Sequence, residues 1–563
     1  MARRPGVIVG VVFVAVTASL TAFTGTTAVA ATARSTASQQ PSPYATKGCL
    51  ALDKQPGSRN YLNSEVEPQV AIDPTDPSHL VGAWQQDRWS NGGAHGLVAG
   101  YSKDGGSTWT VSPEPFSACY GASRSGTYLN YQRASDAWTS IGPGTPGAPQ
   151  SGSTVYASSL SFDQTAFGND TNGTHNAVGA ASSYDGGATW SHVQAIIADP
   201  CISGTPNGPG YQCNNDKSVL FNDKNSVTAD PLHAGVAYQV WDRLVAPPAS
   251  ARGAEHERAY FGPALLSKTT DFGATWSTPR VIVGGASQDQ TIGNQIVINR
   301  QTGALYDFFN LIQNASNAGG HRGYNVAYVT STDGGATWTR PTVLASIQTA
   351  GVSDPNNLNP YTNASPAPSR TGDIIPEPAI NPATGQLYVV WQDARFNNSA
   401  NDEVVISTSS NGGTKWSAPQ LVNAHTGQPA YDPSVYINAE GVVGVSYFQW
   451  SRTSSGQEPT TLLIRHSTSP GSSAAGPSFD SPSSLDGPFN NLAASVARGY
   501  FLGDYQGLVA NDQGFIPFYV KTNCADGTSA TQPSCRAIQS VLNPTDRTPT
   551  NNNATDVYAV TGG

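Results

Sequence analysis

The chain is 563 residues long, carries a formal charge of −10, and only 12% of it is Asp, Glu, Lys or Arg. Beside 58 Gly and 40 Pro it holds 23 Tyr, 17 Phe and 11 Trp. Sparse charge excludes a coiled coil, abundant aromatics exclude a charged disordered chain, and glycine without a three-residue period excludes collagen. What remains is a folded, turn-rich protein, expected to be all-β. No Lys/Arg run offsets the negative balance, so no nucleic-acid surface is expected. An anionic ligand would need a local arginine cluster.

The chain opens MARRPGVIVGVVFVAVTASLTAFTGTTAVAATARS. Arg3 and Arg4 precede an apolar run from Val7 to about Phe23, and Ala28-Val29-Ala30 is a small-x-small cleavage site. Residues 1–30 read as a secretory signal peptide, with an uncleaved anchor as the other reading. Residues 31–60 begin ATARSTASQQPSPYA, polar and low in complexity, and are expected to be a disordered leader. Residues 61–563 form the expected folded domain. No later apolar run reaches the length of a membrane span. A secreted, monomeric product without membrane contact after cleavage is expected.

Six cysteines in an exported chain suggest disulfides. Cys201 lies near Cys213 and Cys524 near Cys535, which leaves Cys49 for Cys119; proximity alone suggests this pairing, and the others stay open. No CxxC and no suitably spaced His points to a metal. NDTNGTHN (169–176) is rich in oxygen ligands and suits either a structural Ca²⁺ or a plain polar loop. Otherwise no cofactor is expected.

Five segments repeat one pattern: SKDGGSTW (102–109), SYDGGATW (183–190), TTDFGATW (269–276), STDGGATW (331–338) and SSNGGTKW (409–416). Asp104, Asp185, Asp271, Asp333 and Asn411 can each accept bonds from following N–H groups, while glycine supplies positive φ and Trp packs between sheets. Each motif follows a strand, a tight turn and two further strands, and a fourth strand leaves it. That makes a four-stranded antiparallel blade. Two further units lack a good motif. The count is seven units, or six if one divergent unit is an insertion.

These motifs are similar to the Asp boxes (BNR repeats) of the sialidase superfamily, over about residues 61–563. The resemblance implies an all-β propeller of four-stranded blades, with the active face opposite the Asp boxes. The second strands end there in Asp87-Arg88, Asp242-Arg243, Asp393-Ala394-Arg395 and, in QWSR, Arg452. Sialidases grip the sialic acid carboxylate with an arginine triad, so Arg88, Arg243, Arg395 and Arg452 are the candidate clamp. Repeated Asp–Arg salt bridges inside each blade are the other reading. No clear Arg-Ile-Pro motif precedes the first Asp box.

The first strands supply an inner ring that includes Glu67, Arg133, Asn225, Gln295, Glu377, Asp432, Asp504 and Tyr505. LGDYQGL (502–508) is similar to the sialidase segment that carries the nucleophilic tyrosine. The resemblance therefore implies Tyr505 as nucleophile, Glu377 as its base and Asp87 as acid/base. Otherwise Tyr505 is an aromatic packed at the channel. His95, His175, His256 and His321 fall in second-to-third-strand loops, where a His and a Tyr could serve a polysaccharide lyase on uronates. Together these features suggest a secreted sialidase-like glycoside hydrolase acting on a glycan or polysaccharide that ends in an acidic sugar. The alternatives are that lyase, or a non-catalytic propeller binding glycan or protein.

Overall fold

The computed structural model describes residues 1, 33–38, 41–44, 59–120, 129–163, 176–199, 219–246, 262–284, 289–313, 323–354, 367–424, 427–450, 459–523 and 555–562. Among them the protein is all-β, and no described helix is long and apolar enough to cross a membrane.

Antiparallel units of four strands follow one another along the chain. The first runs Asn60–Ile72, Leu80–Trp89, Ala94–Ser102 and Thr110–Pro113. The second runs Arg133–Thr145, Ala148–Phe162, Asn176–Ser183 and Ser191–Asp199. The third runs Val219–Ala229, Ala237–Ala246, Ala264–Thr269 and Arg280–Val283. The fourth runs Asp289–Ile298, Leu305–Gln313, Gly323–Ser331 and Thr342–Ser346. In the fifth, Glu377–Ile380, Leu387–Asp393 and Glu403–Ser409 precede the short Gln420–Leu421. The sixth has Ala430–Ile437, Val443–Trp450 and Thr460–Ser469, the last paired outward with both Ser478–Phe479 and Ser483–Phe489. The last has Gly507–Asn511, Gly514–Thr522 and Thr555–Thr561. The first strand of each unit touches that of the next, and that of the last unit touches that of the first.

The outermost strand of the last unit comes from the other end of the chain. Ala33–Thr36 pairs antiparallel with Thr555–Thr561, Ala33 opposite Thr561. Arg34 Nη1 meets Asp486 Oδ1 at 2.7 Å, Tyr44 is fully buried, and Ser42 Oγ donates to Asp87 Oδ2 at 2.6 Å. Residues 33–38 and 41–44 therefore correct the expectation of a disordered leader: four alternating backbone groups complete a sheet edge, and Tyr44 fills a core position.

Local chemistry sets both hairpin turns. Between first and second strands an Asx side chain accepts from an N–H further along the turn: Asp73, Asp230, Asn299, Asn381, Asn438 and Asn511 do so at 2.8–2.9 Å. Between third and fourth strands stand the five repeated motifs. In the first, Ser102 Oγ donates to Asp104 Oδ1 at 2.8 Å and accepts from Gly106 N at 2.9 Å. Thr108 N donates to Oδ1 at 2.9 Å and Thr108 Oγ1 to Oδ2 at 2.6 Å. Asp185, Asp271 and Asp333 repeat this pattern. Asn411 keeps the Oδ1 bonds, accepting from Ser409 Oγ and Lys415 N, both at 3.0 Å. The motif tryptophans face the neighbouring unit, as Trp109 does Phe518 with centroids 5.1 Å apart and Trp416 does Tyr328 at 5.7 Å.

Because Asn411 serves in one copy, the turn needs the Oδ1 acceptor more than the charge. Asp271→Ala should lower unfolding free energy by about 1 kcal/mol and Asp271→Asn by clearly less, read from urea denaturation. Equal losses would contradict the hydrogen-bond account.

Candidate functional site

In several first strands the pairing register slips, two residues standing opposite one on the second strand. The slips fall between Val66 and Gln69, Ser135 and Trp138, Asp223 and Ser226, Ile292 and Gln295, and Tyr431 and Ser434. The first of the two residues left out has positive φ each time: Glu67 54°, Asp136 54°, Lys224 46°, Gly293 74° and Asp432 45°. A bulge re-aims its side chain, and positive φ costs strain for a residue other than glycine. Four of these five residues carry charge.

Three of the four meet. Lys224 Nζ lies 3.1 Å from Glu67 Oε1, 2.7 Å from Asp504 Oδ2 and 4.0 Å from Asp136 Oδ1. Arg370 binds Asp504 with two nitrogens, Nε to Oδ1 at 3.1 Å and Nη2 to Oδ2 at 2.6 Å. Close backbone packing allows this: a Cβ on Gly372 would lie 1.8 Å from the Asp504 carbonyl oxygen. Arg88 lies 4.0 Å from Glu67 Oε2, and its guanidinium and that of Arg370 both stack on Phe501, 4.9 and 4.3 Å from the centroid. Arg88 Nη1 also donates to Gln85 Oε1.

Most of these groups border a pocket of about 70 Å³. Arg88, Arg370 and Arg498 line it with Glu67, Asp136, Asp223 and Lys224; Leu160, Phe162 and Phe221 form an apolar wall, and Ser90 to Gly93 a rim. The environment pushes the acids apart. Burial would raise the Asp504 carboxyl, but Arg370 and Lys224 outweigh it and hold it well below the usual carboxylate range. Burial raises Glu67 and Asp136 despite Lys224, and raises Asp223. The Lys224 ammonium, which burial alone would weaken, is raised by Asp504, Glu67 and Asp136. Burial lowers Arg88 to about 10.

The sequence-derived candidates are only partly brought together. Arg88 reaches the pocket. Arg395 does not line it: its Nε and Nη2 clasp Asp393 at 2.7 Å each, a local salt bridge. Arg243 is half-buried and outside the pocket lining, and Arg452 lies outside the described residues. Arg243 and Arg395 are thus not brought to the pocket with Arg88, and Arg395 bonds within its own unit. Arg370 and Arg498 supply the other two pocket guanidiniums.

Asp87 is also corrected as acid/base. It has no exposed surface and accepts from Ser42 Oγ at 2.6 Å and Asn63 N at 2.8 Å, with His95 Nδ1 at 3.1 Å. It is a structural hub, and His95 is fully buried beside it. Of the other inner-ring residues, Arg133 bonds Asn91 and Gly92, while Asn225 bonds Ser158 Oγ at 2.7 Å. His175, His256, His321 and most of segment 169–176 lie outside the described residues, as do Cys49, Cys201, Cys213, Cys524 and Cys535. Cys119 is buried. Among the described residues no group of three or more His, Cys, Asp or Glu is arranged to hold a metal.

Tyr505 does not line this pocket but a small adjoining space with Trp138, Asn225, Gln295 and Ile375, and Asp136 and Lys224 border both. Its ring meets Trp138 edge-on at 5.3 Å, and Lys224 Nζ lies 5.3 Å from its centroid. Burial and the surrounding carboxylates, Glu377 among them, push the phenol well above its ordinary range, opposite to the shift that activates a nucleophile. Glu377 Oε1 is buried without a hydrogen-bond partner, and burial pushes this carboxyl up to about 8.

A family model for a BNR repeat-like domain matches residues 248–365. A search among curated proteins finds no match. Among solved structures the chain is similar to an α-L-arabinofuranosidase from Fusarium graminearum, at 13% identity over 72% of this chain and 96% of that one, with a TM-score of 0.40. A Hadza microbial sialidase is similar at 17% identity over 68% of this chain and 63% of that one, TM-score 0.39. A Penicillium chrysogenum α-L-arabinanase is similar at 14% identity over 68% and 88%, TM-score 0.39.

Glu377 gives a pH test. The folded chain holds this proton up to about 8, whereas an ordinary glutamate releases it near 4.5. Its contribution to stability is whole below 4.5 and is lost as pH rises through about 8. Glu377→Gln should flatten that decline in pH-dependent urea unfolding; an unchanged slope would contradict the assignment.

The match over residues 248–365 bears out the likeness of the Asp-box segments to BNR repeats.

Proposed function

We propose that the four-stranded units close as a seven-bladed β-propeller and that the Arg88–Arg370–Arg498 pocket is the active site of a secreted glycoside hydrolase. Its substrate is a glycan ending in a sugar that carries a carboxylate. The observation that carries this reading is the convergence of three guanidiniums and three acids in one concave site. Arginines grip a carboxylate through paired hydrogen bonds. Acids with separated pKa values provide both a proton donor and a group that stays ionised. Phe162 and Phe221, edge-on at 5.8 Å, back this pocket with apolar packing.

The cyclic contact of first strands supports the propeller. The N-terminal signal pattern supports export. The raised phenol of Tyr505 and the burial of Asp87 favour, in this reading, carboxylates at the pocket over a tyrosine nucleophile. The lyase reading loses His95, which is buried beside Asp87.

The wild-type protein should release 4-nitrophenol from an aryl α-sialoside or an aryl β-glucuronide. Arg370→Met should lower kcat/KM at least about tenfold, mainly through KM, while Arg395→Met stays within about twofold. Release from neither glycoside, or equal losses in both variants, would contradict the proposal.

A further inference from the structure

We infer that Asp136 and Asp223 act as one proton-sharing dyad that protonates the leaving oxygen of the sugar bound in this pocket. The inference rests on the hydrolase reading and deepens it. The two residues come from the first strands of successive units, the second and the third. One backbone amide joins them: Lys224 N donates to Asp136 Oδ2 at 2.9 Å and to Asp223 Oδ1 at 3.0 Å. Two carboxyl groups on one N–H are neighbours, and both line the pocket. The bulges enforce this, because Asp136 and Lys224 are held at φ 54° and 46°. Next to them Arg88 Nε, fully buried, lacks a hydrogen-bond partner among the described residues.

Adjacent carboxylates in a desolvated site do not both ionise; they hold one proton between them. The surroundings agree: burial raises both acids, and each senses the other's side chain. Charged and titratable groups facing Asp136 are Lys224, Glu67, Arg88 and Tyr505. Those facing Asp223 are Lys224, Arg370, Asp504 and Asp242. Lys224 is the nearest cation and favours a single negative charge on the pair, so the dyad presents one O–H and one carboxylate. In the step, the O–H proton passes to the glycosidic oxygen as the bond to the anomeric carbon breaks. The bonding pair leaves with that oxygen, as an alcohol. Water then adds at the anomeric carbon and returns a proton to the dyad. One water is consumed and the dyad is regenerated.

The dependence on leaving group tests this. Asp136→Asn and Asp223→Asn should each lose about 100-fold or more in kcat on a methyl glycoside of the acidic sugar. On its 4-nitrophenyl glycoside, whose leaving group needs no proton, the loss should stay within about tenfold. Both variants should also lose the alkaline limb of the kcat/KM profile. Equal losses on the two glycosides, or an unchanged alkaline limb, would overturn the dyad. An infrared titration of the protein without substrate separates this from failure of the hydrolase reading. The difference spectrum between wild type and either variant should show a carboxylic-acid band lost with the substitution, and the absence of that difference in both variants would overturn the dyad whatever the activity.

Discussion

The ammonium of Lys224 is the interaction on which the centre of this protein depends. It is 7% exposed and touches carboxylates from separate parts of the chain, Glu67 and Asp504 at 3.1 and 2.7 Å. Removing a charge from water costs several kcal/mol unless partners replace the lost hydration. Here they do, and the replacement works both ways: Lys224 and Arg370 keep Asp504 ionised, and the carboxylates keep Lys224 protonated. Any unit displaced from its place would leave a buried charge without its counterpart. The lock therefore favours one arrangement of the inner strands and fixes the floor of the pocket.

Bulged backbone makes the lock possible. A regular strand would turn alternate side chains into the sheet contacts on either side. Inserting one residue at positive φ frees that side chain to point at the centre, and it recurs at Glu67, Asp136, Lys224 and Asp432. The same backbone places an amide of Lys224 between Asp136 and Asp223, so structural strain and the proposed chemistry share one residue. Charge is scarce, 12% of the chain, and its gathering at these bulges marks the site more sharply than composition could.

The units were legible because their signals are local. An Asp side chain closing a turn needs only the next few residues, so the five motifs and their flanking strands could be read directly. The last unit was harder, since its fourth strand, Ala33–Thr36, is remote in sequence from its partner Thr555–Thr561. The site was legible only in part. Glu67, Asp504 and Arg88 stood out, yet Asp136, Lys224 and Arg370 did not. A signal existed: Glu67, Lys224, Gly293 and Asp432 each lie six residues before the Asx residue of the following turn, Asp73, Asp230, Asn299 and Asn438. The direction of the second-strand arginines had no such signal. Arg88 and Arg395 sit in similar sequence, but Arg395 finds Asp393 two residues away whereas Arg88 turns toward Glu67.

The central claim is that this charged floor receives a carboxylate-bearing sugar. Calorimetric titration of the wild-type protein with glucuronic acid and with glucose, which share a ring and differ at C6, tests it most directly. The account predicts binding of the acid at least about tenfold tighter than of the neutral sugar, with the difference weakening as salt rises. Equal affinity for the two sugars, or no binding of the acid, would contradict it.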